Sequence, residues 1–107
     1  MLFAIARRDK PGMGDARAAL LPAHAEYQKA FMDLIVFGGG LMADGTDLDN
    51  FVYSEAGIRD VVGNVLIVDV PDRVAAEALH NDDPYTKGGV FDTVIIEPFL
   101  QRVPLPK

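Results

Sequence analysis

The residues that can do chemistry are few and far apart. His24 stands in the stretch PAHAEY at 22–27, and Asp82 and Asp83 stand in NDDPYTKGG at 81–89. An imidazole is the usual proton carrier near neutral pH. A carboxylate can fix its tautomer, and an arginine can hold an anion. Arg7 and Arg17 are available for that last role. A plain turn needs only Gly, Pro, Asn or Asp for its geometry. NDDPYTKGG carries two acids and the aromatic Tyr85 as well.

The two acids read differently. Asp83 precedes Pro84, which disfavours helical backbone and turns Asp83 toward an extended conformation. Its side chain is then free to leave the helix surface. Asp82 reads as solvent-facing at a helix end, where an acid opposes the dipole. Tyr85 is either a packing aromatic or a hydroxyl donor in a cleft. Gly88 and Gly89 either close a turn or let backbone approach a ligand. His80 reads as a surface histidine favoured by the helix dipole. His24, His80 and Asp83 lack metal-ligand spacing, so no metal is expected.

The elements that must position these residues follow from pattern. Residues 2–7, LFAIAR, read as a strand, and RDKPGMG at 8–14 as a loop with Pro and Gly breakers. Asp15 can cap a helix running to about Phe37, with Gly38–Gly40 ending it. Pro22 interrupts that helix, which predicts a short first turn and a main helix restarting at Pro22. LMADG at 41–45 reads as a short strand, 46–61 as irregular with an optional strand at FVYS, and 62–70 as the strongest strand. Pro71 and Asp72 open a second helix with Val74, Ala75, Ala78 and Leu79 as its apolar stripe. Residues 92–99 form a last strand, and VPLPK at 103–107 is a tail.

Composition bounds the class. The 107 residues fit one domain, 1–107, and half of them are hydrophobic. Such a chain buries enough surface to fold without metal or disulfide. With no cysteine, disulfides, thiolate metal sites and cysteine nucleophiles are excluded. A formal net charge of −6, with no basic cluster beyond Arg7–Arg8, disfavours nucleic acid and anionic membrane surfaces. No segment approaches the ~20 apolar residues of a membrane span. MLFAIARR is too short an apolar run for a signal peptide, so the expected location is the cytoplasm.

The order β-α-β-β-α-β is the ferredoxin-like pattern, a four-stranded antiparallel sheet with two helices on one face. Both faces of its strands carry apolar residues. Val65 and Ile67 oppose Leu66, Val68 and Val70, while Leu2, Ala4 and Ala6 oppose Phe3 and Ile5. Two helices cover only one face, and a large bare apolar face marks an interface. A homodimer packed through the open sheet face is expected, two-fold dimers being the commonest assembly.

On the first helix, Leu20, His24, Tyr27, Phe31 and Leu34 form one core-facing stripe. His24 therefore has a plain structural reading, in which it bonds the Ala18 carbonyl that Pro22 frees. Topology favours a different one. The start of the first helix, the end of the second and the end of the first strand all reach the same rim. His24, NDDPY and Arg7 would meet there.

PAHAEY (22–27), GGLMADG (39–45) and DPYTKGGVFDTVIIEPF (83–99) resemble the YciI-like, or YCII-related, family over nearly the whole chain. The resemblance implies a ferredoxin-like fold pairing as a dimeric α+β barrel. It implies a site built from His24 and Asp83, with Tyr85 and Gly89 in the accompanying motif. Many relatives have an arginine three residues before the histidine, where this chain has Leu21, while Arg17 matches. That departure implies a different or less anionic ligand. The loop at 46–61 also differs from the usual one. Some relatives resemble dehalogenases and isomerases of muconolactone-type ring compounds.

The expected function is acid–base catalysis, of lyase, isomerase or dehalogenase type, on a small metabolite such as a carboxylated ring compound. His24 moves the proton, Asp83 orients it, Tyr85 donates a hydrogen bond, and Arg7 or Arg17 holds an anionic group. No cofactor is expected, since proton transfer beside a carbonyl needs only a base and a polarising group. The alternative is a non-catalytic dimer that binds or senses a small molecule. A cofactor-free oxygenase is a weaker third class that no residue set asks for.

Overall fold

The first strand, β1 (Leu2–Asp9), buries every second residue: Phe3, Ile5, Arg7 and Asp9. The alternation continues past the apolar residues into charged ones, so one sheet face is apolar at one end and ionic at the other. This division organises the molecule. A computed structural model describes residues 1–104; the last three residues of the expected tail lie outside them. After β1 come α1 (Gly14–Lys29), β2 (Ile35–Met42), β3 (Val61–Asp69), α2 (Arg73–Asn81), α3 (Pro84–Lys87) and β4 (Phe91–Pro98). The strands form one antiparallel sheet in the order β2-β3-β1-β4. This is the ferredoxin-like arrangement. Among the described residues, no helix is long and apolar enough to cross a membrane.

The apolar half of the covered face packs under α2. Phe3, Ile5, Leu66, Val68 and Val70 meet Ala76, with Leu79 and Ile96 beside them. Ala76 is fully buried, and its small side chain lets the helix approach the sheet closely. Asp72 caps α2 by accepting from the Ala75 amide at 2.9 Å. The inward residues of α2 are Ala75, Ala76 and Leu79. Val74 and Ala78, expected on that stripe, face solvent.

α1 differs from expectation at both ends and in the middle. It runs unbroken through Pro22, whose ring lies on the exposed side. Arg17, Ala18 and His24 are buried on either side of the proline and hold the two halves in line. The helix ends at Lys29, not near Phe37, so His24 lies in its second half. The glycine run does not stop a helix. Gly38–Gly40 lie within β2, which pairs with β3 from Ile35 onward. A β-carbon on Gly38 would meet a Leu66 methyl at 2.5 Å and the Val65 carbonyl oxygen at 2.8 Å. Glycine is required there because two backbones approach closely. The FVYS stretch, 51–54, forms no strand and belongs to a long connection pinned by fully buried Ile58.

Among the described residues, no helix lies over the opposite sheet face. Ala6 is flanked by Val65 and Ile95, and Ala4 by Ile67 and Glu97, in register. Phe37 and Ile95 on that face are 61% and 60% exposed.

The close approach at Gly38 has a direct test. Gly38→Ala is expected to cost about 1–3 kcal/mol through forced displacement of β3. Gly40→Ala, whose added carbon would meet its nearest neighbours at 3.5 Å or more, serves as the control. Urea midpoints of the two variants should separate; equal midpoints would contradict this packing.

Candidate active site

The ionic end of β1 lies beneath α1 and α3. There Arg7 Nη1 stands 3.1 Å from Asp83 Oδ2, both side chains almost wholly buried. Asp83 has extended backbone, with φ −64° and ψ 129°, as the following proline dictates. It is the N-cap of α3, and its Oδ1 accepts from the Tyr85 amide at 2.9 Å. The same oxygen lies 2.9 Å from His24 Nδ1. One carboxylate thus starts a helix, neutralises an arginine and holds an imidazole. The Ala18 carbonyl plays no such part.

Asp83 is buried, which pushes its carboxyl up. The hydrogen bond and charge of His24, the charge of Arg7 and the Tyr85 amide outweigh burial and hold it below the ordinary carboxylate value. An ionised Asp83 only accepts hydrogen bonds, so the Nδ1 facing it carries a hydrogen. The lone pair of neutral His24 is then on Nε2.

His24 is one wall of a cavity of about 500 Å³. Tyr85 and Arg17 line it from the helix side, Asn64 and Leu66 from β3, Gly38–Gly40 from β2, and Tyr53 from the long connection. The Tyr85 ring stacks on the imidazole at 4.2 Å and 18° between planes. Burial first, then Tyr53, pushes the Tyr85 hydroxyl up to about 12, against the opposing charge of Arg17. It is therefore neutral at physiological pH. Arg17 lies 4.6 Å over the same ring.

The two arginines are held differently. Arg17 is clamped by Asp9 through two hydrogen bonds, of 2.6 and 2.9 Å. It reaches the cavity wall already neutralised. Arg7 lies behind Asp83 and is not on that wall. Its Nε donates to Asn64 Oδ1 at 2.8 Å, and Phe91 lies 4.4 Å beneath its guanidinium carbon. Nη2 is buried without a hydrogen-bond partner among the described residues. Desolvation lowers the proton affinity of Arg7, partly offset by Asp83.

The structure therefore brings His24, Asp83, Tyr85, Arg17 and Arg7 together, and leaves Gly89 apart. Gly89 has φ +72° and follows α3 as a turn residue, its amide bonded to the Thr86 carbonyl. Asp82 is exposed. His80 is no surface histidine. It is half-buried, with Nδ1 3.3 Å from both Arg7 Nη1 and the Thr86 hydroxyl. Burial first, then Arg7, lowers its proton affinity. Leu21 packs on Ala18, Ile58 and Val61 and brings no charge to the site. Asp9, Asn64 and Tyr53 were missed by the sequence reading. Continuing the β1 alternation two residues further would have found Asp9. Among the described residues, no group of acidic, histidine or cysteine side chains could hold a metal ion.

Fold and site together define a ferredoxin-like α+β protein with a buried His–Asp pair beside a cavity of about 500 Å³. Residues 1–100 match the YCII-related domain family, and the chain belongs to it. It is similar to the protein YciI of Escherichia coli O6:H1, 28% identical over 99 residues that cover 92% of this chain and 96% of that one. The protein YciI of Shigella flexneri matches equally well. Among solved structures it is similar to the 5-chloro-2-hydroxyhydroquinone dehydrochlorinase TftG of Burkholderia phenoliruptrix AC1100, in complex with 2,5-dihydroxybenzoquinone. That similarity has a TM-score of 0.81 and 30% identity over 94% of each chain.

Truncating one partner of a buried ion pair leaves the other uncompensated, so Asp83→Ala is expected to cost about 3–5 kcal/mol. The pH dependence has a defined sign. Stability from ionised Asp83 is fully present above the ordinary value of 3.8 and is lost as pH falls through the lower folded value. His80 loses stability in the same direction, beginning as pH falls below its ordinary 6.5. Chemical unfolding across pH should show both windows, with His80→Gln removing only the upper one. A stability profile flat from neutral pH to 3 would contradict both.

Proposed function

We propose that this protein moves a proton on a small hydroxylated or carboxylated ring compound, using the His24–Asp83 pair and no cofactor. The observation that carries this reading is the double placement of His24. Its Nδ1 is fixed by a buried carboxylate, and the ring stands on a cavity wall. The volume lies within the range of ordinary small-molecule sites. The likeness to a dehydrochlorinase seen with a dihydroxybenzoquinone supports the ligand class.

The chemistry follows from the protonation states. Nε2 takes a proton from a ring hydroxyl or from carbon beside a carbonyl, and negative charge spreads to a conjugated oxygen. Asp83 stabilises the imidazolium that forms. Returning the proton to another ring atom gives an isomer. Expulsion of chloride by the ring electrons, with the proton passing on to solvent, gives net loss of HCl. Neither course requires an oxidant or reductant. Tyr85 stacks on the imidazole and keeps it aimed.

His24→Asn should lower kcat/KM by about 10²–10⁴-fold. The assay is chloride release from 5-chloro-2-hydroxyhydroquinone, with hydrogen–deuterium exchange at ring carbons of related hydroxyquinols followed by NMR. Ring compounds that bind equally to wild type and His24→Asn, with no turnover by either, would instead identify a binding or sensing module.

We also infer that a second copy covers the open sheet face, making the dimeric α+β barrel. Phe37, Leu41 and Ile95 are apolar, exposed and in register on that face. Phe37→Asp combined with Ile95→Lys should yield a monomer by light scattering at micromolar concentration. A monomeric wild type would overturn the inference.

A further inference from the structure

Asn64 is an unexpected residue at its position. It lies in β3, next to the central strand β1, on the helix-covered face with Leu66 and Val68. Asparagine is depleted in strands, and a polar side chain on a covered face must find a partner. Its Oδ1 has one, Arg7 Nε at 2.8 Å. A guanidinium has only donors, so the amide atom facing it must be the oxygen. That fixes which way the side chain is turned. The NH₂ group, Nδ2, is left with no hydrogen bond among the described residues, and Asn64 lines the cavity that His24 also lines.

Arg17 shows what a full match looks like. Its Nε and Nη2 both meet carboxylate oxygens of Asp9. At Arg7 the corresponding edge meets a neutral amide, whose one oxygen accepts from Nε and leaves Nη2 without a partner among the described residues. A carboxylate at position 64 would serve Arg7 better. It would also place negative charge on the cavity wall and no donor there. An amide gives up one bond to the arginine and presents a donor to the cavity.

We propose that Asn64 Nδ2 is a catalytic hydrogen-bond donor to the ring oxygen on which negative charge develops when His24 removes a proton. This rests on the acid–base reading above and extends it to the other side of the ligand. Arg7 is then a positioning residue for both halves of the site. One guanidinium holds Asp83, which aims His24, and Asn64, which aims the donor. The ligand class narrows to rings bearing a carbonyl or hydroxyl conjugated to the position that loses its proton, hydroxyquinones among them. A fixed donor directed at developing charge is worth about 10²–10³ in kcat.

Asn64→Asp tests this because it keeps an acceptor for Arg7 while deleting the donor. The variant should melt within a few degrees of wild type. It should lose about 10²–10³-fold in kcat, with a smaller change in KM. Titration with 2,5-dihydroxybenzoquinone, followed by its absorbance, gives a readout without turnover. The ionised form of that probe should bind at least ten-fold more weakly to Asn64→Asp, and its apparent pKa when bound should rise. Asn64→Asp with wild-type kcat and unchanged affinity for the ionised probe would overturn the proposal. The two readings fail separately. If His24→Asn retains turnover, the acid–base assignment falls, and the probe titration still decides whether Asn64 holds a ligand oxygen.

Discussion

The ion pair between Arg7 and Asp83 is the constraint on which the site depends. Both side chains are buried, and removing two charges from water is expensive. A well-packed apolar replacement for such a pair is often as stable or more so. This pair is therefore better understood as a positional device. It ties the C-terminal half of β1 to the start of α3, two segments 76 residues apart in sequence (83 − 7). Everything at the rim is set from it: the imidazole through Asp83, the Asn64 amide through Arg7, and the first turn of α3 through the capping bond.

The second requirement is empty space beside a fixed group, and β2 supplies it. Three glycines in succession remove side chains from the strand that faces α1, and the backbone itself forms a cavity wall. Gly38 is glycine because β3 comes too close for a β-carbon, while a β-carbon at Gly40 would meet only ordinary contacts of 3.5 Å or more. The apolar core under α2 lies at the other end of the same sheet face. Stability and chemistry are thus segregated along one surface. The two meet at Leu66, which packs in that core and also lines the cavity.

Some of this was legible in the sequence. The Asp-Pro step made the extended backbone of Asp83 readable, and Asp72 announced its cap. The element order led to the right sheet. Other features were decided by partners distant in sequence. Ile35–Met42 looks like the end of a helix followed by a glycine stop, yet pairing with β3 makes it a strand. Pro22 looks like a break, yet buried residues on both sides keep the helix continuous. Asp9 was hidden in an apparent loop, although it is the fourth member of the alternation that begins at Phe3. His80 resembled a dipole-favoured surface residue because nothing local shows Arg7 beside it. The cavity could not be read at all. Its walls come from backbone, a long irregular connection and a helix that meet only in three dimensions.

The central claim is that Asp83 keeps the hydrogen of His24 on Nδ1 and leaves Nε2 as the base. Nitrogen-15 NMR of the imidazole, with two-bond correlations to the ring protons, reads this directly. The neutral ring should show a protonated Nδ1 and a bare Nε2, and Asp83→Asn should lose that preference. A His24 found with its hydrogen on Nε2, or one whose tautomer is indifferent to Asp83, would contradict it.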